Sequence, residues 1–227
     1  MHRDETNNRC DKIKEPADLF RRMRFTDPEG DLAVRIAREA LDAHVEGRPP
    51  RPFSAPASFE AKGGAFVTLN VHPSGELRGC IGYPEPFFAL LKSIVKGAEG
   101  AAEDPRFPRL EAGELPKVTV EVSLLTPPQL LQAKRAKDLP KMIRLGADGL
   151  KIAQGPYRGI LLPQVPVEWG WDAETFLSEG CIKAGLLGDA WLDDSIRVYT
   201  FQAEIFSEVE PRGAVVRRDL GAGHARR

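Results

Sequence analysis

Cysteine is scarce in this chain: only Cys10, Cys80 and Cys181 occur in 227 residues, and no two form a CxxC pair. An odd, widely spaced set excludes a disulfide framework and a zinc-ligand pattern, and it suits a reducing compartment. No apolar run is long enough to span a bilayer. The first fifteen residues are polar and hold no apolar signal segment, so a cytoplasmic protein with no membrane partner is expected. Charge of one sign is also missing. The formal net charge is -1, so no global field recruits DNA or an anionic membrane. The glycines match neither GxGxxG nor a P-loop, and no metal or cofactor is implied. Hydrophobic residues make up 42% and charged residues 29%, an ordinary globular composition with enough chain for a sizeable core.

Against that plain background one stretch stands out, Leu77-Arg78-Gly79-Cys80-Ile81-Gly82. Ala65 to His72 alternates apolar and polar residues. Pro73-Ser74-Gly75 is turn chemistry, and Glu76 to Ile81 alternates again. The pattern predicts a hairpin. A three-residue turn would set His72 opposite Glu76, Asn70 opposite Arg78 and Thr68 opposite Cys80, with Val67, Leu69, Val71, Leu77 and Ile81 sharing the core face. Thr68, Asn70, Arg78 and Cys80 then form a polar patch. A polar strand face is most often solvated, but a thiol between Gly79 and Gly82 makes a cleft wall an equal expectation. His72 lies about four residues along the strands from Cys80, roughly 13 Å at the usual rise, too far for a dyad.

The rest of the chain is read in order. Residues 1–25 form an arm with a short apolar cluster. Thr26 with Glu29 makes a capping box for a helix ended by Gly47. Pro84 to Glu103 is expected to be a helix, stopped at Asp104-Pro105. Asp104 and Arg106 either reach a cleft or brace a corner. Val118 to Leu125 is a strand, with Glu121 on its polar side. Ile143 to Leu162 looks like a small meander. Pro163 to Asp172 holds two prolines and two tryptophans and predicts a stiff irregular segment. There Gln164 and Glu168 are site candidates, while Trp169 and Trp171 are first of all packing anchors, with Trp171 also able to face a cavity. Asp172 caps a helix that carries Cys181 as a small core residue. Ile196 to Phe206 reads as one final strand, and residues 208–227 as a flexible tail.

These motifs together resemble the AMMECR1 family. The carriers are the hexapeptide, Asp104-Pro105-Arg106-Phe107, Glu121-Val122-Ser123, Leu161-Leu162-Pro163-Gln164-Val165, Trp171-Asp172, Phe176-Leu177 and Cys181-Ile182-Lys183-Ala184-Gly185. They cover roughly residues 26–207. The resemblance implies an α+β fold of two subdomains with mainly antiparallel sheets flanked by helices. The larger would come from the N- and C-terminal parts and the smaller from the centre, with the hexapeptide by the cleft between them. It also implies Memo-like and radical-SAM partner proteins and a small molecule or RNA base as substrate. The chain has no CxxxCxxC, so radical chemistry would belong to a partner.

Two functional readings follow. In the first, Cys80 is a nucleophile or covalent carrier and Arg78 lowers its pKa. Gln164 and Glu168 position substrate or move protons, and Thr68, Asn70, Gly79, Gly82, Asp104, Arg106 and Trp171 bind substrate. In the second, the same cleft belongs to a non-catalytic binding or adaptor module. A buried, purely structural Cys80 is the bland alternative.

Overall fold

The computed structural model describes residues 25–218, so Cys10 and the expected arm up to residue 24 lie outside the described part. The architecture is α+β, with two antiparallel sheets flanked by helices. The first sheet has the order β2-β1-β3-β8-β9, from β1 (Gly64–Val71), β2 (Leu77–Tyr83), β3 (Val118–Leu125), β8 (Ala203–Glu208) and β9 (Val215–Arg218). The second has the order β4-β7-β5-β6, from β4 (Gln129–Leu130), β5 (Gly149–Gln154), β6 (Tyr157–Leu161) and β7 (Arg197–Phe201).

Helix α1 (Asp27–Glu46) starts at the expected capping box. The Thr26 N–H donates to Glu29 Oε2 at 2.8 Å, and the helix closes on Gly47 at φ 67°, the left-handed region glycine enters freely. A short helix α2 (Ala57–Glu60) follows. Helix α3 (Leu90–Ala102) packs with α1 against β1, β2 and β3. Ile36, Leu41, Val67, Leu69, Ile94, Val120, Val122 and Phe206 are fully or almost fully buried in this core. In the second half, α4 (Gln164–Trp169) leads into α5 (Ala173–Lys183), which packs on β5 and β6. Leu150, Ile152, Phe176, Leu177, Cys181 and Val198 form a separate core there, which gives Cys181 the packing role expected of it.

Several sequence expectations give way. The helix expected from Pro84 begins only at Leu90, because Pro84 and Pro86 lack the N–H and restrict the residues before them. The expected strand at Ile143 is replaced by a 3-10 turn over Ala136–Met142 and a loop with Gly146 at φ 79°. Pro163 to Asp172 is not irregular throughout: it forms α4, ended by Gly170 at φ 65°. The run Ile196 to Phe206 is two strands in different sheets, broken at Gln202. At that break the Gln202 N–H donates to Thr126 Oγ1 at 2.8 Å and the Thr126 N–H to the Gln202 carbonyl at 2.9 Å, so the two crossovers between sheets run side by side. The stretch after Glu208 stays in the fold through Arg218, because β9 pairs with β8.

Candidate functional site around Cys80

The hairpin register is as expected as far as Leu69, with Thr68 opposite Cys80 and Leu69 opposite Gly79. It then shifts: Asn70 faces Leu77, which leaves Arg78 as the extra residue of a bulge. A bulge redirects the side chain it carries. Arg78 accordingly does not join Asn70 beside the thiol. Its guanidinium donates to Glu114 Oε1 at 2.8 Å and Oε2 at 3.0 Å. The shift also costs Leu77 its core position, and the side chain is exposed.

Across the sheet, Cys80, Thr68 and Glu121 form one row, continued by Ser207. The Thr68 hydroxyl donates to Cys80 Sγ at 3.3 Å. Strand β2 is the edge of its sheet, and at Cys80 its outward backbone groups are taken by one ion pair. The Cys80 N–H donates to Asp104 Oδ2 at 2.9 Å, and Arg106 Nη2 donates to the Cys80 carbonyl at 3.2 Å. Asp104 and Arg106 bind each other through Nε–Oδ1 at 3.0 Å and Nη2–Oδ2 at 2.6 Å. Asp104 is 2% exposed, whereas Arg106 lies open to solvent. The pair braces the corner, and the Arg106 charge acts on the thiol.

The electrostatics run against a thiolate. Burial pushes the Cys80 thiol up, and Asp104 and Glu121 add to the rise, while the Thr68 hydroxyl and the Arg106 charge oppose it without cancelling it. The expectation that Arg78 lowers this pKa fails, because its charge is spent on Glu114. Asp104 is held well below the usual carboxylate range, first by the Arg106 side chain and then by the N–H groups of Cys80 and Arg106.

Both motif glycines answer to packing rather than to ligand approach. A Cβ on Gly79 would fall 2.2 Å from the Ala101 carbonyl oxygen of α3, and one on Gly82 would enter the Phe66 ring at 2.1 Å. Asn70 is half-buried, and its carbonyl accepts from Thr119 Oγ1 at 3.4 Å.

Gln164, Glu168 and Trp171 belong to the other half of the molecule. None of their hydrogen bonds or ring contacts reaches the hexapeptide. Glu168 is exposed on α4, and the Gln164 Oε1 is buried without a hydrogen-bond partner among the described residues. Trp171 packs against the second core and stacks on Trp169, with centroids 6.0 Å apart. Two relevant residues were missed or underrated: Glu114, to which no periodicity points, and Glu121, which is half-buried in the Cys80 row and lies 3.8 Å from Arg218. Among the described residues, no group of three or more His, Cys, Asp or Glu side chains is placed to hold a metal ion. No described helix is long and apolar enough to cross a membrane.

Comparison with known proteins agrees with the motif reading. Protein MJ0810 of Methanocaldococcus jannaschii is 47% identical over 197 residues, covering 86% of this chain and 98% of that one. Protein TK0174 of Thermococcus kodakarensis is 49% identical over 205 residues, covering 87% and 98%. The crystal structure of the uncharacterized protein PH0010 from Pyrococcus horikoshii superposes with a TM-score of 0.78 at 45% identity, over 86% of this chain and 98% of that one. Residues 34–206 match the AMMECR1 family, and the chain therefore belongs to it.

Proposed function

We propose that this AMMECR1-domain protein is a binding module that holds its ligand on the polar face of β1 and β2, with Cys80 present for its size and weak polarity rather than as a nucleophile. The observation that carries this reading is the fate of the thiol's partners. Burial raises Cys80, the Thr68 hydroxyl that donates to it opposes that rise without cancelling it, and the motif arginine is paired with Glu114. A nucleophilic cysteine needs a depressed pKa or an adjacent base. In this reading the protein works in the cytoplasm, handing a small molecule or an RNA base to Memo-like and radical-SAM partners that do the chemistry.

The test is the alkylation rate of Cys80 against pH, followed by peptide mass spectrometry so that Cys10 and Cys181 are scored separately. The expected profile is slow near neutrality, with an apparent pKa above the ordinary thiol value of about 8.5. A thiolate appearing well below that value overturns the reading and restores the covalent one. Native mass spectrometry of protein purified from source cells completes it. A bound mass should survive Cys80→Ser and be lost in Thr68→Phe, which fills the polar face.

A further inference from the structure

Away from the Cys80 face, the segment that leaves β2 borders a second concavity. A groove of about 620 Å³ lies between Pro84–Phe87 on one side and β5, β6 and the end of α5 on the other. Its lining includes Glu85, Phe87, Lys151, Arg158, Ile160 and Lys183. Three cations thus face one carboxylate, and that carboxylate is already matched, since Lys151 Nζ lies 2.6 Å from Glu85. Lys183 makes no hydrogen bond or ion pair among the described residues and is exposed. Arg158 spends only Nη1, on the carbonyl oxygens of Gly155 and Tyr157. Its Nε–Nη2 edge stays open, the edge a guanidinium uses to grip a phosphate in bidentate fashion. Phe87 is 72% exposed, which is unusual for so large an apolar ring. The next residue, Phe88, has Lys92 Nζ at 5.0 Å and Lys96 Nζ at 5.8 Å from its ring centre, which extends the positive character of this segment.

We infer that this groove binds a nucleotide, with its phosphates on Lys183 and Arg158 and its base stacked on Phe87. The combination selects the class. Free cations alone would serve any anion, and an exposed ring alone would serve any apolar surface. A ligand that carries charge at one end and a planar face at the other uses both. The chain's net charge of -1 makes a local excess of positive charge a feature of this groove rather than of the whole surface.

The experiment is calorimetric titration of the full chain with ATP in magnesium-free buffer, at low and at moderate salt. Adenosine and inorganic tripolyphosphate serve as half-probes, and a hexaglutamate peptide as the acidic-polymer control. ATP is expected to bind more tightly than either half-probe, and more weakly as salt rises. Phe87→Ala, Lys183→Glu and Arg158→Glu should each weaken it by about tenfold or more, while Cys80→Ser leaves it unchanged. These three side chains are exposed, and unchanged melting temperatures will show that the variants fold. Absence of ATP binding overturns the inference. So does tripolyphosphate binding as tightly as ATP with Phe87→Ala neutral, or tighter binding of hexaglutamate. Loss of ATP binding in Cys80→Ser would move the ligand to the hairpin face and overturn it as well.

Discussion

Asp104 ties together more of the Cys80 neighbourhood than the thiol does. Its carboxylate accepts from the Cys80 N–H, the Arg106 N–H and the Arg106 guanidinium, so it caps an edge strand and anchors a corner at once. Its pKa is depressed in the folded protein, so the stabilisation it supplies is present above its unfolded value of about 3.9 and is lost as pH falls through that range and below. Asp104→Asn should therefore cost about 2 kcal/mol at pH 7, the scale of a charged hydrogen-bond set lost in a buried place. The gap between the two proteins should narrow as the pH is taken from 7 to 3. Urea unfolding midpoints at the two pH values check this, and an equal gap at both would remove the charge from the account. The motif itself was legible at this scale, because a thiol between two glycines at a strand end is a local pattern. The partners were not. Glu114 is 36 residues from Arg78, and no local spacing announces a pair at that separation.

Among the elements, the hexapeptide strand is squeezed between a helix on one side and an aromatic ring on the other. The two motif glycines meet different obstacles, and the difference can be measured. Gly79→Ala would drive a methyl into backbone, the Ala101 carbonyl at 2.2 Å, so α3 must move away from β2. Gly82→Ala would meet the side chain of half-buried Phe66 rather than backbone. Gly79→Ala is expected to destabilise by about 3 kcal/mol and Gly82→Ala by about 1 kcal/mol, the range seen for overpacking that does or does not involve backbone shifts. Thermal or urea unfolding of both variants decides it, and a reversed order would mean that the strand, not the ring, gives way. Pattern reading placed this hairpin and its core face because alternation carries register. It failed at Arg78, since one extra residue leaves the alternation of types intact while shifting every pair beyond it. It failed for the same kind of reason at Gln202. Alternation continues unbroken from Val198 to Ile205, because both flanking segments are strands, and the change of sheet is a matter of partners rather than of residue type.

For the whole molecule, the order of strands has a thermodynamic consequence. The second core comes from one continuous stretch, β4 through β7, set between β3 and β8 of the first sheet. The two halves meet at the paired crossovers Thr126 and Gln202 and at the Lys151–Glu85 ion pair. Among the described residues few hydrogen bonds or ion pairs hold one half to the other, while each has its own buried side chains, so the second half is able to open without breaking the ladders of β1, β2 and β3. Phe176 is fully buried among Leu150, Ile152 and Leu177, and Phe176→Ala should cost its core about 3–5 kcal/mol. Native-state hydrogen exchange is then expected to show faster exchange for amides in β5, β7 and α5, with those of β1 and β3 keeping their protection. Equal loss of protection in both sheets would show a single cooperative unit instead. The ligand readings depend on the same mechanics. The nucleotide groove is walled by both halves, so Phe176→Ala should weaken ATP there even though the residue touches none of the lining. The Cys80 face is built from the first half, through β1, β2, β3 and the Asp104–Arg106 corner, and should keep its thiol behaviour in that variant.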